Sequence, residues 1–449
     1  MKSVLWEKGD KIDMVMQELT VGNDHILDKE MVIWDCIGSA AHARMLCSIG
    51  ILTKADTESL LSELKNIYAL GKDKKIDIPA NLEDVHNVIE TMLVEKVGEV
   101  GMKIHAGRSR NDQILVTTRL HLRNMLLEWL QSLSGFLQIC FVRYTELKDV
   151  LMPGFTHMQP AMPSSVGMWL HAFIENSLEL ISEGLMLLKI INVNPLGASA
   201  GFSSNIPLDR EYTTNLLEFS RVQRSSIDCN NSRGRFEEKV LHFGANIAGL
   251  FEKMACDIML YTTREYGFFS LPTELTTGSS IMPQKKNCDI VELLRGRGAK
   301  IRASALEVVL ITAKLPSSYN RDYQYTKEPV IRTRHELGEM FRMAYLVISR
   351  FQVNKDRLAE CMYPDLYSTY EANRLCQSGV PYRKAYRMIA EKLRNGTYDK
   401  KDLEGDFLII ATQTEKYLKE AKQDFDVLQK EIEIWAKKFE SIEKNIFSV

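Results

Sequence analysis

The chain has 449 residues, 45% of them hydrophobic, and a formal net charge of −2 at pH 7. Such a length overfills one simple core and predicts two or three domains. The near balance of charge excludes a chain-wide attraction to nucleic acid or anionic membrane, so any anion site must come from local clusters of Lys and Arg.

The opening residues Met1-Lys2-Ser3-Val4-Leu5-Trp6-Glu7-Lys8 lack the apolar core and cleavage site of a secretory leader. Further along, Asn81 is placed to cap a helix running through His86 and Glu90, with nearby acids complementing its positive end. His86 and Glu90 stand one turn apart, which allows a surface ion pair. Next comes His105-Ala106-Gly107-Arg108-Ser109-Arg110-Asn111-Asp112-Gln113, just before a strongly periodic stretch. A helix N-terminus with two arginines beside it suits a carboxylate, because the free N–H groups and the guanidinium forks all donate. An ordinary capping turn, with Ser109, Asn111 or Asp112 as cap and the arginines in solvent, accounts for the same residues.

From Ile114 to Leu147, apolar residues recur at three- and four-residue steps, which predicts a long amphipathic helix. The run Gly154-Phe155-Thr156-His157-Met158-Gln159-Pro160 breaks the pattern and reads as a loop between long helices. His157 there is a candidate acid or base, although a lone histidine often has a structural role. Helical periodicity resumes over 166–192, 235–266, 289–313 and 333–352. Between two of these helices lies Gly278-Ser279-Ser280-Ile281-Met282-Pro283-Gln284-Lys285-Lys286-Asn287, in which glycine and proline argue for a loop. A mobile loop bearing hydroxyls and ammonium groups can close over an anionic substrate. Glu292 falls one to two turns into the next helix, placed to orient an imidazole or to face solvent. The aromatic and polar run from Ser318 to Lys327 reads as a recognition loop or a surface connection, and a last helix is expected over Asp402 to Lys444.

The expected fold is mainly α. Proline-free windows of this length permit helices of ~30 residues, each ~45 Å long, which pack as a bundle. Their wide apolar stripes predict association between subunits. Breaks near Gly107–Arg110 and between Gln352 and Pro364 divide the chain into an N-terminal helical domain (1–107), a central long-helix bundle (108–352) and a C-terminal helical domain (353–449). Eight cysteines stand without a Cys-x-x-Cys or a tight Cys/His cluster, which reads as reduced thiols. No uninterrupted apolar run approaches the ~20 residues of a membrane span. The expectation is a cytoplasmic protein with no nucleic-acid or membrane partner. Walker, GxGxxG and HExxH patterns are absent, so neither an organic cofactor nor a metal is called for.

The 278–287 decapeptide resembles the signature of the fumarase/aspartase superfamily, whose members release fumarate by breaking a C–N or C–O bond. Together with Asp35–Ala43, His105–Gln113, Thr156–Pro160 and Tyr319–Lys327, it is similar in kind and order to the argininosuccinate lyase family and its δ-crystallin relatives. The resemblance implies three mostly helical domains, a homotetramer built on a central bundle of long helices, and active sites shared between subunits. It implies cleavage of L-argininosuccinate to L-arginine and fumarate by anti elimination through an aci-carboxylate intermediate. On the matching positions, Ser279 is the base, Lys285 and Asn287 stabilise the intermediate, and His157 is the acid-side group, oriented by Glu292. The same resemblance assigns Ser109, Arg110, Asn111 and Thr156 to the succinyl carboxylates, with Tyr319, Gln324 and Lys327 at the arginine end and His86 nearby. The chain departs from the family wording at Glu7–Asp10, Ala106, Arg233–Arg235 and Cys288. An adenylosuccinate lyase-type enzyme and a catalytically inactive, crystallin-like relative are the alternative readings.

Overall fold

The computed structural model describes residues 13–399 and 404–448. The departure at Glu7–Asp10 and the first two residues of the helix expected from Asp402 lie outside them. Three short helices and two longer ones open the described chain: α1 (Met14–Val21), α2 (Asp24–Leu27), α3 (Val32–Ser48), α4 (Lys54–Lys72) and α5 (Val85–Val97), with α6 (Glu99–Lys103) following. The cap of α5 is Asp84, whose carboxylate accepts from the Asn87 N–H at 2.9 Å, and not Asn81, which lies in a preceding 3-10 turn. Asp84 wins because it directly precedes the first helical residue, where a side-chain oxygen reaches an unpaired N–H.

α7 (Arg110–Leu147) is 38 residues long. Ser109 caps it, and Asp112 returns a bond to the Ser109 N–H at 2.9 Å, which completes a capping box. One window of α7 is apolar enough to cross a bilayer, yet 61% of that window is buried inside the fold. The helix ends at an antiparallel hairpin, β1 (Leu151–Thr156) and β2 (Gln159–Ser165). The loop expected over 154–160 is thus a strand pair whose two-residue turn is His157-Met158, both with positive φ (52° and 61°). Prolines are tolerated because a two-stranded ribbon has only one hydrogen-bonded edge per strand.

α8 (Val166–Ile191) starts at the hairpin and therefore runs back along α7. A connecting region follows with β3 (Val193–Asn194), α9 (Arg210–Leu216), β4 (Arg221–Val222) and α10 (Ser226–Asn231). α11 (Arg235–Tyr261) begins near the start of α7, where the Arg119 guanidinium lies 3.9 Å from the Phe236 ring centroid. It stops five residues earlier than the periodicity predicts, and the chain turns at Gly267 (φ 63°) into β5 (Phe269–Ser270). α12 (Asp289–Thr312) returns, bringing Thr312 against Gly234 just before α11. α13 (Lys327–Arg350) begins six residues earlier than expected, with Pro329 inside its first turn. That proline removes an N–H that has no intrahelical partner, so it sits there without penalty. β6 (Gln352–Val353), α14 (Lys355–Glu360), α15 (Ser368–Gln377), α16 (Tyr382–Arg394) and α17 (Glu404–Asn445) complete the order.

The main core lies between α7, α8, α11, α12 and α13. Phe251 is fully buried and meets the rings of Phe136 and Phe341 edge-on, tying three of these helices together. α8 approaches closely at Gly184, where a Cβ would lie 2.6 Å from both Leu130 and Phe243. A second core joins α3, α4 and α5 to the start of α7 and to Ile442, Ile446 and Phe447 at the chain's far end. There Arg44 donates to the carbonyls of Asn445 and Ser448 at 3.1 and 2.9 Å, satisfying groups left free at the end of α17.

Phe251→Ala should lower bundle stability by about 3–5 kcal/mol, since it removes a ring shared by three helices. Chemical denaturation followed by circular dichroism reads this as an earlier midpoint.

Candidate active site

The first turn of α7 faces a cleft of about 230 Å3 whose lining includes His86, Arg110, Asn111, Tyr319, Gln324 and Lys327. Six of the thirteen residues singled out in the sequence therefore meet in one place, with Ser109 alongside as the α7 cap. Arg110 pairs with Glu83 at 3.2 Å and Asp84 at 3.5 Å, and also donates to the Asn87 side-chain oxygen. Arg108, by contrast, is buried and donates to the Ser39 hydroxyl at 2.9 Å. Neither arginine is a free solvent group.

Behind this wall sits Asp35, almost completely buried. Its carboxylate is bonded to His86, accepts from Gln113 at 3.1 Å, and accepts from the hydroxyls of Ser39 (3.1 Å) and Thr117 (3.4 Å). Burial pushes the Asp35 carboxyl up, but the charge and hydrogen bond of His86 outweigh it and hold it below the usual carboxylate range. Burial likewise pulls His86 down, and Asp35 more than reverses this, favouring the imidazolium. His86 thus pairs with Asp35 and not with Glu90, whose carboxylate lies instead 3.8 Å from His105.

The opposite wall is the start of α13 and the 3-10 turn before it, Arg321–Thr326. Lys327 is buried and bonds Asp28 at 2.6 Å and Asp24 at 2.9 Å. Gln324 donates to the carbonyls of Thr20 and Val21 at 3.0 and 3.2 Å, and Arg321 to Thr20 at 2.9 Å, which fastens this turn to the end of α1. The guanidinium of Arg233 lies 5.8 Å from the ring centroids of both Tyr319 and Tyr323. A larger hollow of about 890 Å3 runs between α8, α11 and α12, but none of the thirteen residues lines it.

The remaining six lie at the other end of the bundle. Thr156 and His157 stand exposed at the hairpin tip. The 278–287 loop is pinned at its base by paired backbone bonds between Thr277 and Asn287 (2.8 and 3.0 Å). Within it, the Ser279 hydroxyl oxygen accepts from the N–H groups of Met282 and Ile281 at 3.2 and 3.4 Å, and the Asn287 amide donates to the Gly278 carbonyl at 3.3 Å. Lys285 is exposed, with no side-chain partner among the described residues. Glu292, in the first turn of α12, is exposed, and no bond joins it to His157 within the chain. A 38-residue helix is about 57 Å long, so α7 sets the cleft at its start and the His157 hairpin beyond its end at opposite ends of the bundle.

Sequence reasoning missed Asp24 and Asp28 as members of the cleft's charge network. Asp24 and Asp28 stand four residues apart, the spacing of an ordinary solvated helix face. Asp35 does carry a signal, since it is an acid embedded in the apolar run Val32–Ala43.

Comparison with known proteins defines the class first. Residues 8–303 match the family model described as Lyase, and the chain has the long-helix fold of solved lyases. EDDS lyase in complex with formate superposes with a TM-score of 0.73 at 20% identity, covering 98% of each chain. The class II fumarase of Schistosoma mansoni gives 0.70 at 16% identity, covering 85% of this chain and 88% of the other. Among sequences, the argininosuccinate lyase of Phocaeicola vulgatus is 41% identical over 403 residues, 89% of this chain and 90% of its own. Those of Parabacteroides distasonis (38%, covering 89% of each chain) and Xylella fastidiosa (36%, covering 89% of this chain and 90% of the other) are similar over the same extent. The chain belongs to the argininosuccinate lyase family.

His86→Ala should strip the buried Asp35 carboxylate of its charged partner and cost about 3–5 kcal/mol. Glu90→Ala, which leaves that pair intact, should cost no more than about 1 kcal/mol. Equal denaturation midpoints for the two variants would refute the Asp35–His86 pairing.

Proposed function

We propose that this protein cleaves L-argininosuccinate to L-arginine and fumarate, a step of arginine biosynthesis in the cytoplasm. Supporting this are relatives bearing that name at 36–41% identity over about nine-tenths of the chain. The single structural observation that carries it is the cleft, where a guanidinium, an ammonium and a helix N-terminus converge on a space of small-metabolite size.

In this reading, Ser279 takes the proton from the succinyl carbon beside one carboxylate. The electron pair moves into that carboxylate, then returns to form the C=C bond as the neighbouring C–N bond breaks. Lys285 and the Asn287 amide stabilise the extra negative charge, which exists only in the intermediate and flanking transition states. His157, oriented by Glu292, supplies the proton to the departing guanidino nitrogen. Ser109, Arg110, Asn111 and Thr156 hold the succinyl carboxylates, and Tyr319, Gln324 and Lys327 the arginine end, with His86 close by. No metal and no cofactor takes part.

Because α7 separates cleft and loop within a chain, a complete site draws its parts from several chains, as in a homotetramer. The groove between α8, α11 and α12, bordered by the exposed Leu306, is consistent with a partner's helix lying there.

Purified protein should release fumarate from argininosuccinate, followed by ultraviolet absorbance, and should not act on adenylosuccinate. Ser279→Ala and Lys285→Ala should each lower kcat by about 10²–10³ with little change in KM. A purely raised KM would contradict their roles. Lys285→Ala and Arg110→Ala, both inactive alone, should regain activity when dissociated and reassembled together. Heterotetramers without recovery would refute the sharing of sites.

A further inference from the structure

Arg233 and Arg235, at one of the departures from the family wording, differ sharply in their surroundings. Arg235 is exposed and donates to both carboxylate oxygens of Asp228, at 3.0 and 3.2 Å. Arg233 is only 7% exposed, yet its guanidinium has no hydrogen bond or ion pair among the described residues, and its Nε is buried. The rings of Tyr319 and Tyr323 flank it. Asp24 and Glu237 feel its charge, but Asp24 is committed to Lys327 at 2.9 Å and Glu237 to the Gly234 N–H at 2.8 Å. A guanidinium taken out of water without acceptors is costly, and a carboxylate meeting its fork is the strongest remedy.

Arg233 lines the cleft and also a second hollow of about 280 Å3, formed with Asn231, Glu238, Thr312, Ser317 and Tyr323. Its frame is fixed. Gly234 (φ 81°) presses the start of α11 against the end of α12, since a Cβ there would lie 2.3 Å from Thr312. The Asn231 side chain accepts from the Ser318 N–H at 2.7 Å and donates to the Ser317 hydroxyl at 3.4 Å. Glu238, in the first turn of α11, is half-buried, and its carboxylate has no partner among the described residues.

We infer that this hollow is a second binding site, distinct from the cleft, for a free α-amino acid. The Arg233 fork receives the α-carboxylate and Glu238 the α-ammonium, while Asn231 and Ser317 offer polar contacts to the side chain. Opposite charges side by side select a zwitterion, because Glu238 repels a simple anion and Arg233 a simple cation. Glu238, Asn231 and Ser317 line the hollow and not the cleft, so the two sites share only Arg233 on this side.

The test is a thermal-shift screen of the purified protein against the standard amino acids, then calorimetry with those that bind. At least one should bind the wild type and Arg110→Ala equally. Its affinity should fall about tenfold or more in Glu238→Gln and in Arg233→Gln, each of which removes one charge-assisted contact. Arg233→Lys should restore part of it, since the charge returns without the fork. The methyl ester and the N-acetyl derivative of the same amino acid should both bind at least tenfold more weakly, by about the same argument. Melting of the unliganded Glu238→Gln protein close to the wild type shows that its fold is intact. No binding by any standard amino acid would overturn the inference. So would binding that survives Glu238→Gln, binding lost in Arg110→Ala, which would place the ligand in the cleft, or an N-acetyl derivative as tight as its parent. Turnover is not read in any arm, so a failure to release fumarate bears on the argininosuccinate reading alone.

Discussion

Burial of α7 is the constraint from which the rest of the architecture follows. Its apolar residues are covered by α3 at one end and by α8, α13 and α17 along its length, so the helix is fixed in position and extent. Its N-terminus is therefore a rigid donor surface, and its C-terminus a rigid support for the His157 turn. Neither can approach the other. The distance between the two ends is the structural ground for proposing that a site is shared between chains.

Within the cleft, three of the cations are set by acids behind or beside them. Asp35 fixes His86, Glu83 and Asp84 fix Arg110, and Asp24 with Asp28 fixes Lys327. Buried charges are tolerable only when paired and hydrogen-bonded, so this region had to be assembled as a network and not as separate basic residues. The result is a wall of donors held in one geometry before any ligand arrives, which is the condition under which electrostatic stabilisation is most effective.

Long helices were legible because their signal is local and repeated. The stretch 114–147 shows its period many times over, and the structure places a helix there with only its capped first turn added. Boundaries were harder where one residue type carries two meanings. Pro329 marks a helix start as readily as a helix break, and Pro153 and Pro160 suit a hairpin as well as a loop. The cleft's basic and polar members could be found from charge and motif wording. Their acidic partners could not, because Asp24, Asp28 and Glu83 are contacts across tens or hundreds of residues, and nothing in their local sequence marks them as buried. The loop residues Ser279, Lys285 and Asn287 stood out for composition and motif wording, while no local signal in the sequence sets their distance from His157.

Lys327 opens α13, and this placement has its own electrostatic meaning. The start of a helix is its positive pole, where a cation is ordinarily disfavoured and an anion welcomed. The ammonium is thus set against the peptide dipoles of the helix that bears it, and two aspartates from a distant part of the chain counter that field. α2 and its neighbouring turn act as an acidic cap on α13 as much as a wall of the cleft. Shape and charge at this corner are one construction, so a sequence change to either acid alters helix and ligand environment together.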